Sequence, residues 1–243
     1  MKIAVVIPVH NEAPSLRALT EGVAAQLDPG SFEILFVDDG STDDSARVLQ
    51  GLQREYPMLR VLRFSRNAGK SQALASAFRR VHADIVVTMD GDLQDDPVEL
   101  PRMLAALKDG ADVVCGWKAN RQDPLHKTLP SRVFNGTIAA MFGLKLHDMN
   151  TGYKAMRAEV AQQLPLTHGM HRFIPVLARQ LGYSVTEIPV RHHPRRFGKS
   201  NYGMERYYQG ARDALWLWRH PAIARSGPPA EPQGLVSEEP SSS

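Results

Sequence analysis

The sequence predicts an α/β protein built on a mainly parallel sheet with helices on both faces, and three observations carry that prediction. Short apolar runs rich in Val, Ile and Leu recur near residues 3–9, 32–38, 60–65, 84–90 and 112–118. Helix-like stretches near 15–27, 43–56, 70–81 and 98–108 separate them, and such alternation closes through right-handed crossovers. Thirdly, the run Asp84-Ile85-Val86-Val87-Thr88 reads as a buried parallel strand and leads straight into Met89-Asp90-Gly91-Asp92-Leu93-Gln94. That places two carboxylates at a strand's carboxyl end, where open α/β sheets bind ligands.

The elements follow in order. Ile3 to Val9 is continuously apolar up to Pro8 and forms the first strand. Ser41-Thr42-Asp43-Asp44 offers N-cap oxygens ahead of Ala46-Arg47-Val48-Leu49, and Pro97 opens the fourth helix, with Asp95 and Asp96 read as helix-start carboxylates favoured by the macrodipole. The fifth strand carries the one cysteine, Cys115, which can form no internal disulfide and suits a core position. Beyond residue 118 the pattern loosens into helices at 132–142 and 170–181, strands at 152–157 and 184–192, and a final helix at 204–219. The expected organisation is a catalytic domain over 1–203, a basic and aromatic amphipathic helix over 204–225, and a tail over 226–243 whose Pro, Gly, Ser and Glu predict disorder.

With 243 residues, 43% of them apolar, the chain can bury a full core. The N-terminus has no signal-peptide pattern and no run approaches membrane-spanning length, so the expected location is cytoplasmic or peripheral to a membrane. Charge is unevenly placed. Residues 1–190 hold 21 Lys and Arg against 21 Asp and Glu, whereas residues 191–225 hold eight against Glu205 and Asp213. An anionic partner near that segment is implied.

The acidic pair sets the first chemical expectation. Hard oxygen ligands on a strand tip suit Mg²⁺ or Mn²⁺ held jointly with substrate phosphates, which suggests an enzyme handling a nucleoside diphosphate. Other phosphate-binding designs fail. Ala68-Gly69-Lys70-Ser71 lacks the earlier glycine of a P-loop, since position 64 is Phe64, and no glycine-rich dinucleotide turn follows the first strand. None of the nine histidines has zinc-site spacing.

Ile7-Pro8-Val9-His10-Asn11-Glu12, Val37-Asp38-Asp39-Gly40-Ser41-Thr42-Asp43, Arg66-Asn67-Ala68-Gly69-Lys70 and Asp90-Gly91-Asp92-Leu93-Gln94-Asp95-Asp96-Pro97 together resemble the successive signatures of family 2 glycosyltransferases with the GT-A fold. Arg121-Gln122-Asp123-Pro124, Ser131, Asp148-Met149-Asn150-Thr151-Gly152-Tyr153-Lys154, His171-Arg172-Phe173-Ile174-Pro175 and Arg195-Arg196-Phe197-Gly198-Lys199-Ser200-Asn201-Tyr202 resemble the polyprenyl-phosphate branch of that family. That branch includes dolichyl-phosphate mannose synthases and bacterial undecaprenyl-phosphate sugar transferases. The resemblance implies an inverting transfer from a UDP- or GDP-sugar to a polyprenyl phosphate.

It also implies roles. Donor binding falls to Pro8, His10, Glu12, Val37, Asp39, Lys70, Asp90, Gly91, Asp92, Gln94 and Lys118. Asp39 can accept the ring N–H of uracil or guanine. Asp92 is the expected direct ligand of Mg²⁺ or Mn²⁺, with Asp90 and Gln94 completing the metal set. Asp92, Asp90 and Arg121 are the expected catalytic residues, and Arg121, Ser131, Arg172, Arg195 and Lys199 the expected holders of the acceptor phosphate.

The acceptor side has its own logic. Transfer to a hydroxyl normally needs a carboxylate base, but His168-Gly169-Met170-His171-Arg172-Phe173 contains no acid where many relatives carry one. A phosphate is already ionised and needs only cations to align it. Two departures from the branch stand out: Ser200-Asn201-Tyr202 replaces its usual Ser-Lys-Tyr, and Trp117-Lys118 replaces an arginine-bearing pair.

The final helix mixes aromatic and basic residues, with Tyr208, Ala211, Leu215 and Trp218 near one face, as helices at a bilayer surface do. Attachment at the cytoplasmic face would be peripheral or through a membrane partner protein, and no nucleic-acid motif is present. Two other readings are a soluble family 2 enzyme acting on a sugar hydroxyl, and a catalytically silent module that binds nucleotide sugars or anionic lipid.

Overall fold

The computed structural model describes residues 1–118, 135–167, 169–194, 205–232 and 234–239. Its strands are β1 (Ile3–Val9), β2 (Phe32–Asp38), β3 (Leu59–Phe64), β4 (Ile85–Thr88), β5 (Val113–Lys118), β6 (Lys154–Arg157), β7 (Val185–Val190) and β8 (Leu235–Glu239). They form one sheet in the order β7-β5-β6-β4-β1-β2-β3-β8. β1 sits between β2 and β4, all parallel, and β3 continues the parallel run beyond β2. The site-bearing ends of β1, β2 and β4 therefore face the same way.

The sheet is mainly parallel, as expected, with β6 and β8 running against the other six strands. β6 enters between β4 and β5 and runs antiparallel to both, while β7 pairs parallel with β5. The strand–helix rhythm forecasts parallel neighbours only where a helical crossover joins two strands, and β6 follows the long connection after β5.

Helices α1 (Leu16–Ala24), α2 (Ser45–Glu55) and α4 (Leu100–Lys108) cover one face. There Leu16, Leu19, Leu49, Leu52, Met103 and Leu107 pack on Ile3, Val5, Ile7 and Phe36. The helix α3 (Lys70–Phe78), the helix α5 over 135–142, and α6 (Ala158–Gln163), α7 (Ile174–Gln180) and α8 (Glu205–Arg219) belong to the other face. Its core joins Ala4, Val6, Leu35, Val37 and Leu62 to Leu74, Phe78, Phe173 and Leu177. Alternate residues of β1 serve opposite cores, as the two-residue strand period demands. Cys115 is fully buried, and burial pushes its thiol up to about 12, in keeping with a packing role.

The tail departs from expectation. Ser65 N–H donates to Gly234 O at 2.8 Å, Arg79 Nη1 donates to Pro229 O, Arg80 pairs with Glu231, and β8 lies antiparallel against β3. Proline- and serine-rich composition records weak local propensity, but the open edge of β3 supplies hydrogen-bond partners from outside the segment.

Candidate active site

The acidic loop leaves β4 pressed against the exit of β1. A Cβ at Gly91 would lie 2.9 Å from Val9 Cγ1, 3.6 Å from Pro8 O and 3.7 Å from Glu12 Cγ, so only glycine lets the loop approach this closely. Ser15 Oγ donates to Gly91 O and fastens the contact. Within the loop, Gln94 N–H donates to Asp92 Oδ1 at 3.1 Å and Asp90 N–H to Asp95 Oδ2 at 3.2 Å. Leu93 takes a left-handed φ of 61° to turn the corner. Pro8, Glu12, Gly91 and Asp92 thus meet at one place.

Asp95 and Asp96, expected to act alike, do not. Asp96 caps the 3₁₀ turn before α4, its Oδ1 accepting Val98 N–H at 3.0 Å, and its Oδ2 lies 2.9 Å from His193 Nε2. Asp95 is buried and braces the Asp90 backbone instead of a helix start. Burial, reinforced by the neighbouring charge of Asp90, pushes the Asp95 carboxyl up. Asp90 goes the other way: burial would raise it, but Lys70, Lys118 and Lys154 outweigh burial and hold it well below the usual carboxylate range. Lys70 Nζ pairs directly with Asp90 Oδ1. Two carboxylates five residues apart are therefore held in opposite directions.

The donor-side residues are knit together. Asp39 N–H donates to Val9 O at 2.9 Å, and His10 Nδ1 donates to Asp39 O at 2.9 Å. The two carboxylate oxygens of Asp39 accept Ala68 N–H at 2.7 Å and Gly69 N–H at 2.9 Å. Asp39 consequently fixes the start of α3, one residue before Lys70. A carboxylate offers about four lone-pair sites, so two N–H partners leave it capacity for a base. Burial raises its pKa, and the two N–H groups offset that only in part. The Val37 side chain is wholly buried in the core that includes Val6, Leu35 and Leu62, which leaves its backbone to face a donor.

Sequence reasoning gave no role to Gly152 and Lys154, and the structure puts both under Asp90. A Cβ at Gly152 would sit 2.5 Å from Asp90 Cγ and from each of its oxygens. Thr88 Oγ1 donates to Gly152 O at 2.7 Å and holds the two segments in contact. Lys154, 2% exposed, donates to Thr151 O, and burial pulls its pKa down.

Lys70 also opens onto a cleft of about 130 Å³, lined by Ser71, His171 and Arg172 and by Gln209, Arg212 and Asp213 of α8. Arg172 Nη1 lies 3.4 Å from Asp213 Oδ2. His171 N–H donates to Ser71 Oγ at 3.1 Å, and the same hydroxyl lies 2.8 Å from His171 Nδ1. Burial, then Lys70 and Arg172, keep the His171 pKa well below its ordinary value, so the ring is neutral.

The remaining expected residues divide in two. Lys118, at the end of β5, is close enough to Asp90 to depress it, and Trp117 beside it stacks on His147 with ring centroids 4.3 Å apart. The Gln94 amide nitrogen turns toward His192 Nε2 at 3.4 Å and His193 O at 3.5 Å, which points its oxygen the other way. Arg121, Ser131, Arg195 and Lys199 lie outside the described residues. Among the described residues, no group of three or more His, Cys, Asp or Glu forms a metal cage.

A family model described as Glycosyl transferase family 2 matches residues 4–164. The chain is 37% identical over 207 residues to an undecaprenyl-phosphate 4-deoxy-4-formamido-L-arabinose transferase of Yersinia enterocolitica, covering 84% of this chain and 63% of the relative. It is 37% identical over 224 residues to a dodecaprenyl-phosphate galacturonate synthase of Rhizobium johnstonii, covering 88% and 66%. The chain thus spans just under two thirds of each relative's length. In fold it is similar to glucosyl-3-phosphoglycerate synthase from Mycobacterium tuberculosis in complex with Mn²⁺ and UDP-glucose, with a TM-score of 0.67 and 20% identity over 94% of this chain and 80% of that one. A mannosyltransferase from Pyrobaculum calidifontis in complex with GDP-Man and Mn²⁺ gives a TM-score of 0.65 and 20% identity over 95% of this chain and 66% of that one. With the family model matched over most of the chain, through the strands that carry the acidic loop, the protein belongs to glycosyl transferase family 2.

Proposed function

We propose that this protein is an inverting, divalent-metal-dependent transferase that moves a sugar from UDP or GDP to a polyprenyl phosphate. The observation that carries the reading is the acidic loop at the carboxyl end of β4, with Asp90 held ionised by lysines and Gly91, next to Asp92, packed against the exit of β1. The relatives named for undecaprenyl- and dodecaprenyl-phosphate support the acceptor.

The residues present fit a hard cation. Asp90, Asp92 and the Gln94 amide would supply oxygen ligands, which suit Mg²⁺ or Mn²⁺, ions that keep waters and share substrate phosphates. When bound, such an ion neutralises charge on the departing nucleoside diphosphate. The chain's own residues do the rest. Asp39, His10, Pro8 and Glu12 orient the base end of the donor, and the Asp39 bridge to Ala68 and Gly69 sets Lys70 beside the diphosphate. The acceptor arrives ionised, so arginines align its oxygen with the anomeric carbon and no base is required. Attack from the face opposite the leaving group inverts that carbon.

Among the described residues, no helix is long and apolar enough to cross a membrane. The exposed aromatic and basic residues of α8 support peripheral contact at the cytoplasmic face.

The test assays one donor against undecaprenyl phosphate and against a sugar hydroxyl, with wild type and Asp92→Ala. Transfer to the lipid phosphate, abolished by chelation and by the substitution with little change in thermal midpoint, is the expected result. Full activity in Asp92→Ala removes the metal claim, and transfer to the hydroxyl alone removes the acceptor.

A further inference from the structure

The cleft beside Lys70 and the face of α8 next to it have complementary chemistry. The cleft holds three cations, Lys70, Arg172 and Arg212, and the Ser71 hydroxyl, against the carboxylate of Asp213. Asp213 lies within 3.4 Å of Arg172 and 3.9 Å of Arg212, so it orders both guanidinium groups without cancelling both charges. A volume near 130 Å³ corresponds to roughly four waters at about 30 Å³ each. That is room for a phosphoryl group. Lys70 belongs to the cleft and to the Asp90 pair at once, so a phosphate seated here lies one side chain away from the acidic loop.

α8 continues this site outward. Gln209, Arg212, Asp213 and Trp216 are spaced i, i+3, i+4 and i+7, so the row that enters the cleft leads in about one turn to Trp216. The Trp216 ring is 41% exposed and stacks on His220 with centroids 4.7 Å apart, which holds it as a flat apolar platform. Leu215 and Tyr208, also exposed, extend the apolar surface beyond it. The buried side of the helix is Gly210, Ala214 and Leu217, which anchors the exposed row in place.

We propose that the cleft receives the phosphate of the lipid acceptor, held by Lys70, Arg172 and Arg212, and that its first isoprene units lie over Trp216 of α8. The assignment rests on the polyprenyl-phosphate reading above and deepens it by locating the acceptor. It makes α8 part of the acceptor site as well as a contact for the bilayer.

The test measures dissociation constants of geranyl phosphate and of inorganic phosphate for the full chain and for Arg212→Ala, Arg212→Lys and Trp216→Ala, with UDP and GDP binding as controls. Arg212→Ala should weaken both phosphates about tenfold, the loss of one charge-assisted hydrogen bond. Arg212→Lys should recover part of that loss. Trp216→Ala should weaken geranyl phosphate about three- to tenfold and leave inorganic phosphate unchanged. Nucleotide affinity should stay at the wild-type value in all three. Wild-type binding of geranyl phosphate that none of the variants disturbs would overturn the site while sparing the polyprenyl-phosphate reading. Absence of any geranyl phosphate binding in a wild type that binds nucleotide would overturn both.

Discussion

Replacing Gly152 with alanine should silence the enzyme without unfolding it. The added Cβ would stand 2.5 Å from the Asp90 carboxylate, whereas ordinary contact begins at 3.4 Å, so either the carboxylate or the segment leading into β6 must yield by about 1 Å. The Gly152 segment is the stiffer of the two, since Thr88 Oγ1 holds Gly152 O, Gly116 N–H donates to Tyr153 O at 2.9 Å and Tyr153 is fully buried. Asp90 therefore moves, and with it the Lys70 pair. A displacement of about 1 Å in a reacting constellation costs about a hundredfold in rate, or about 2.7 kcal/mol of barrier. Stability should follow a different course. Gly152 has no positive φ, so alanine is tolerated by the backbone and removes some unfolded-state entropy, which offsets part of the local crowding. The assay is turnover at saturating donor, metal and polyprenyl phosphate, beside a thermal melt. Activity within about twofold of wild type would refute the claim that the Gly152 segment positions Asp90, and a collapsed melting midpoint would mean that the contact is structural.

Further outcomes follow from the same geometry. Burial pushes the Asp96 carboxyl up, but the His193 and Val98 hydrogen bonds prevail and leave it lowered. Its contribution is then present above the ordinary carboxylate range and disappears as pH falls through the depressed value. Asp96→Asn should cost about 1 kcal/mol at pH 7, a midpoint loss of about 2–4 °C that closes on acidification. A gap of the same size in acid would sink that assignment. A chain ending at Arg225 should lose about 2–3 kcal/mol with β8, lower its midpoint by about 5–10 °C and associate through the bared β3 edge, detectable by light scattering. An unchanged melt and a monodisperse species would show that the strand adds nothing.

The first half of the chain was legible because its signals are local. Each of β1 to β5 is a short run rich in apolar residues, and α1 to α4 carry buried residues at helical spacing, so periodicity located them to within a few residues. The acidic loop was legible for the same reason: Asp90 and Asp92 follow their strand directly. What escaped depends on partners far along the chain. Gly152 meets Asp90 across sixty-two residues, and Ser71 meets His171 across one hundred. The antiparallel entry of β6 and the pairing of β8 are likewise choices made by the sheet, to which local propensity is blind. Asp95 and Asp96 show the limit most plainly, because neighbours of one residue type end in a buried brace and a turn cap.

The pairing of β8 with β3 also bears on how the molecule is made. β3 emerges from the ribosome ahead of every element that lines the cleft, and its outer backbone groups wait for a mate that is translated last among the described strands. At common elongation rates the wait is roughly ten to thirty seconds. For that interval the nascent sheet presents a bare seam to any neighbouring chain, and the seam closes only after the segment bearing the cleft has been produced.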